Sequence, residues 1–131
     1  MSAESVPLGS SEAGLEGRLR QALLDAARAR RVITYRDLAA LAQVPKPHSI
    51  HGLTLALEAM IRDDQAAGRP LLAALAVSRS PGSIPGPGFF HLLAELGRYD
   101  GPDRGPAAAM AHARERDRAW SYWGRRDPAS S

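Results

Sequence analysis

Apolar positions first recur along the chain at the spacing of an amphipathic helix. Leu15, Leu19, Leu23 and Ala26 lie three or four residues apart between Glu12 and about Arg30, with Arg18, Arg20, Arg28 and Arg30 on the opposite face. Arg31-Val32-Ile33 is β-branched and too short for a helix, so it predicts a short strand. Thr34, with Asp37 three residues on, makes an N-cap pair for a helix from Tyr35 to Ala42. Val44-Pro45-Lys46-Pro47 breaks that helix, because each proline moves the residue before it out of helical angles. A third helix then runs from His48 to about Gln65, burying Ile50, Leu53, Leu57, Met60 and Ile61, and Gly68 and Pro70 stop it. Three helices, the last two joined by a short turn, make a helix-turn-helix unit.

The second half is less periodic. Leu71 to Arg79 is apolar on every face, which fits a strand or a buried helix, and its setting before a proline- and glycine-rich run favours the strand. Ser80 to Gly88 is an exposed loop, the wing of a small β-hairpin. Phe89 to Leu96 predicts a short helix stopped by Gly97, with a return strand starting at Phe89 as the alternative. After a loop over 98–106, a last helix starts near Ala107 and ends in Trp120, Tyr122 and Trp123. Residues 1–11 and 126–131 are small and polar without periodicity and are expected to be disordered, which leaves 12–125 as one domain. The expected fold class is mainly α with a small β-hairpin (α+β): a winged helix-turn-helix followed by C-terminal helices.

Composition narrows the chemistry. A chain of 131 residues can bury a core without disulfides, and its lack of cysteine excludes thiol catalysis and thiolate metal sites. No run approaches the ~18 apolar residues of a membrane span, and Met1-Ser2-Ala3-Glu4 lacks a signal peptide's basic flank, so the expectation is a cytoplasmic protein with no membrane partner. Gly86-Pro87-Gly88 is no phosphate cradle, since proline has no N–H, and no GxSxG nucleophile motif is present. His48 and His51 have a spacing that can share a metal, with Glu58 or His91 as third ligands, but no HExxH motif supports them. Asp63-Asp64 sits at a helix end, where the dipole predicts solvent exposure in place of a carboxylate dyad. No cofactor and no enzymatic activity are expected.

Ile33-Thr34-Tyr35-Arg36-Asp37-Leu38-Ala39-Ala40-Leu41-Ala42, followed by Val44-Pro45-Lys46-Pro47, resembles the winged-helix DNA-binding segment of the O6-alkylguanine-DNA alkyltransferases and alkyltransferase-like proteins. The family's central glycine of the recognition helix is matched by Gly52, and its phosphate-contacting tyrosine maps onto Tyr35. Where alkyltransferases carry Pro-Cys-His-Arg, this chain has about Ala74 to Val77, so alkyl transfer to a cysteine is excluded. The arginine with which the family props the duplex after base flipping falls on Ser49, or on His48 with a one-residue slip, and neither fills that space. Pro70 to Ser78 and Pro85 to Phe89 are similar to small bacterial domains of unknown role, some of them beside nuclease domains.

The resemblance and helix-turn-helix geometry together imply a non-enzymatic protein that binds double-stranded DNA, in a regulatory, repair or defence role. Lys46, His48, Ser49, His51 and Thr54 would face the bases, Tyr35 and Arg36 a phosphate, and Arg79 a minor groove. Sixteen of the seventeen basic residues are arginine, suited to phosphate and guanine edges, yet residues 37–68 carry a net −2 within an overall +3. That acidity supports the alternative, the same fold as a protein-interaction or homodimerisation module. Trp120 and Trp123, one helical turn apart, either dock the last helix on the core or form the partner's aromatic anchor.

Overall fold

The structure is a computed structural model that describes residues 6–79 and 83–125, with side chains from Gly14 onward. Of the ends expected to be disordered, residues 1–5 and 126–131 lie outside the described residues, as does the tip of the expected wing over 80–82, whereas residues 6–11 belong to a helix. Helix α1 spans Val6–Arg28, beginning six residues before the position that its side-chain periodicity marks. It buries Leu19, Leu23 and Ala27, each four residues from the last. Strand β1 (Ile33–Thr34) leads directly into α2 (Tyr35–Leu41), whose N-cap is Thr34 as expected, its Oγ1 accepting from the Asp37 N–H at 3.1 Å. Helix α3 (Ser49–Ala67) buries Leu53, Leu57, Met60 and Ile61. Ile50, expected inside, is 46% exposed: its spacing puts it on the same stripe, but it stands in the first turn of the helix, at the end of that stripe.

Four of the five helices among the described residues end in one manner. The backbone N–H groups of Arg31, Val44, Arg69 and Arg98 each reach back five residues, to the carbonyls of Ala26, Ala39, Asp64 and Leu93. The residue before each has positive φ: Arg30, Gln43, Gly68 and Gly97. Gly68 and Gly97 adopt that left-handed turn without steric cost, whereas Arg30 and Gln43, both exposed, adopt it at some steric cost within turns closed by backbone hydrogen bonds.

Residues 71–77 do not form the predicted strand along their length. Leu72–Leu75 is one turn of 3-10 helix, and only Ala76–Val77 is extended, as β2. All seven residues are buried, because α1, α3 and α5 (Gly105–Trp123) pack around the turn. An apolar run enclosed on every side carries no period, which is why the pattern could not separate the alternatives. β2 pairs with β1 in parallel, Ile33 beside Ala76 and Thr34 beside Val77. Strands joined through α2 and α3 are not a hairpin, so among the described residues the expected β-hairpin is replaced by this parallel pair. Beyond β2, the Ser78 N–H donates to the Ile84 carbonyl at 3.0 Å and closes the loop. Pro87–Glu95 is α4, which settles the Phe89 segment as helix.

Candidate nucleic-acid interface

Because Thr34 both ends β1 and caps α2, Tyr35 stands at the start of α2 with its ring turned toward the loop after β2. Its hydroxyl accepts the Gly86 N–H at 2.9 Å, and the half-buried ring packs against the core. Burial pushes the phenol above its ordinary pKa of 10.0, opposed by the Gly86 bond, so the hydroxyl keeps its proton at neutral pH. Tyr35 is therefore a tie between α2 and the start of α4, and only its O–H is left to donate to a ligand.

The parallel register carries two further residues to one place. Thr34 beside Val77 brings Arg36 and Arg79, each two residues on, to the same end of the strand pair, and both are exposed. Lys46 and His48 are exposed in the turn before α3, His51 is exposed in its first turn and Ser49 is half-buried. Thr54 lies on the same side as Tyr35: both line a cavity of about 30 Å³, with Glu58, Ala73 and Phe89. The Thr54 hydroxyl donates to the Ile50 carbonyl at 2.8 Å within its own helix. A cavity that size holds about one water and no extruded base.

Asp64 overturns its expected exposure. It is fully buried, and one carboxylate oxygen takes Arg20 Nη2 at 3.2 Å together with Arg69 Nε and Nη2 at 3.1 and 3.0 Å. The other accepts the Leu72 N–H at 3.2 Å. Its two arginines lie outside the 37–68 segment, so Asp64 adds no outward negative charge there. Lys46 and Arg62 then face three acidic residues, Asp37, Glu58 and Asp63, and Arg62 is itself paired with Glu95 at 2.9 Å.

The other expected sites fall apart or turn inward. His91 Nε2 meets Asp103 at 3.0 Å, away from His48 and His51, and among the described residues no group of three metal-ligating side chains forms. Trp120 donates its indole N–H to the Arg31 carbonyl at 3.0 Å, with Arg30 and Arg116 over its ring at 5.4 and 4.7 Å. Trp123 donates to the Pro70 carbonyl at 2.8 Å, with Arg20 and Arg69 each 5.7 Å from its ring centre. Both rings are half-buried and dock α5 on the rest of the chain. The sequence reading missed the Asp64 network and the Tyr35–Gly86 bond, since each joins residues far apart in the chain. Among the described residues no helix is long and apolar enough to cross a membrane. No protein-family model matches the chain, and neither a curated protein nor a solved structure is significantly similar to it.

Proposed function

We propose that this chain is a non-enzymatic, winged-helix-type protein that binds duplex DNA through the first turns of α3 and the end of the β1–β2 pair. The observation that carries the reading is the distribution of unmatched positive charge. Many of the described arginines are held by carboxylates or rings of the chain itself. Arg36, Lys46 and Arg79 make no ion pair or hydrogen bond through their side chains with any described residue, and all three are exposed. His48 and His51 stand near Lys46 at the start of α3, where helix-turn-helix proteins reach base edges. In this reading the loop closed by Ser78 and Ile84 is the wing, with Arg79 at its root.

Three cations against phosphates imply weak binding with a steep salt dependence, at about 0.9 of slope per phosphate neutralised. Titration of labelled duplex at two salt concentrations tests this: binding at low salt that falls with a log–log slope of about −2.7 or steeper supports it. A specific observation favours the second reading, a protein-interaction module. Leu41, Ile50 and Leu55, 65%, 46% and 54% exposed, stand on the same two helices. Absence of DNA binding at low salt, with a dimer in light scattering, would favour that module.

A further inference from the structure

We propose that the outer face of α5 is a second phosphate-binding surface, one that takes the phosphodiester backbone of duplex DNA independently of its sequence. Arg114 and Arg118 are exposed and make no ion pair or hydrogen bond with any described residue. They stand four residues apart, about 6 Å along the helix axis, so both guanidinium groups project to one side. Arg118 also lines a shallow depression of about 510 Å³ with Ser121, Tyr122, Arg125 and Pro70. The Arg125 guanidinium lies 5.1 Å over the Tyr122 ring, on the same stretch of helix.

The acidic residues of this helix do not cancel the face. Asp117 borders the depression, but Arg116 already holds it through two bonds of 3.1 and 3.0 Å. Glu115 is turned inward, where Arg98 takes both of its oxygens at 3.0 and 2.7 Å. Beside the exposed but paired Asp117 carboxylate, the outward groups are three guanidinium groups, of which Arg125 Nε also donates to the Tyr122 carbonyl at 3.5 Å, a serine hydroxyl and a phenol. That set matches phosphate oxygens, which arginine engages two at a time. Placing the basic groups near a helix C-terminus also complements its dipole, but that effect fades within the last turn, and Arg114 and Arg118 precede it.

This surface is separate from the one proposed above, because α5 packs on α1 and the 72–75 turn whereas α3 packs on α2 and that turn. Each can therefore be removed alone. The test is titration of labelled duplex DNA at two salt concentrations with the full chain, the double variant Arg114→Gln/Arg118→Gln, and the double variant Arg36→Ala/Arg79→Ala. Circular dichroism and melting confirm that each variant is folded. We expect the α5 variant to bind several-fold more weakly at low salt, with a log–log salt slope shallower by about 1.8, two phosphate contacts' worth. Unchanged affinity and slope in the folded α5 variant overturn the proposal, and if Arg36→Ala/Arg79→Ala then abolishes binding, the α2–α3 reading stands without it. The reverse pattern keeps the α5 surface and removes the α2–α3 one. Wild-type protein that ignores duplex at low salt overturns both, as does capture by anionic phospholipid vesicles in its place.

Discussion

At its C-terminal end α3 holds Asp64, wholly inside the protein, gripped by arginines from α1 and from the segment after α3 and by the backbone of the 72–75 turn. Over its first turn the same helix presents His48, Ile50 and His51 to solvent, beside Lys46, and none of these four side chains is tied to a described residue. One end ties three parts of the chain together through polar bonds, and at the other end those four side chains make no hydrogen bond or ion pair with a described residue. Burial of a charge is tolerable only with full pairing, so the Asp64 end is committed to stability, and the unpaired end is where a partner would meet little competition from the chain itself.

The contrast is broken most forcefully at Asp64. Asp64→Ala leaves two partly buried arginines and one buried backbone N–H without their acceptor, and should cost about 3 kcal/mol or more in chemical denaturation. A loss below about 1 kcal/mol would mean that water reaches the site and that the two ends of α3 are alike. Trp123→Ala comes next, at about 3 kcal/mol, the low end of the range for tryptophan because the ring is only half-buried. A protein that melts unchanged but loses a dimer would place that ring at an interface instead.

A pH-dependent effect of smaller size belongs to the buried side of the contrast. His112 on α5 is 3% exposed, and its Nε2–H donates to the Ala74 carbonyl at 2.8 Å. Burial depresses its pKa below the ordinary 6.5, and the neighbouring Arg116 adds to that, while Ala74, Asp117 and Glu115 oppose. The unfolded chain therefore binds the proton more readily than the folded one, so the contribution of neutral His112 is full above pH ~6.5 and is lost as pH falls through the lower folded pKa. Melting temperature measured from pH 8 to pH 5 should fall less in His112→Gln than in the parent, and parallel curves would remove His112 as the cause. Smallest of all, Arg36→Ala and Lys46→Ala should change stability by no more than about 0.5 kcal/mol, as exposed, unpaired side chains do.

The boundaries of α3 were readable in the sequence, whereas the outward turn of Ile50 at its start and the burial of Asp64 near its end were not. Helix α2, its Thr34 cap, and the Gly68 stop of α3 follow from local chemistry within a few residues, so pattern alone locates them. Asp64 looked like a solvent-facing acid at a helix end. Its environment is made by Arg20, 44 positions earlier in the chain, and by the Leu72 N–H, which no local period reports. Arg20 misled for the same reason, read as part of a polar face when its head group reaches inward. Segment 71–77 failed differently, since a run apolar on all sides is equally a strand or a tight turn until the three helices around it are known.

The most direct test of the account is to titrate labelled duplex DNA at low salt with the wild-type chain and with Arg36→Ala/Lys46→Ala/Arg79→Ala, each confirmed as folded by its melting curve. The account predicts that the wild type binds and that the triple variant binds at least tenfold more weakly, its log–log salt slope shallower by about 2.7 because three phosphate contacts are gone. Equal affinity and equal slope for the two folded proteins would contradict it.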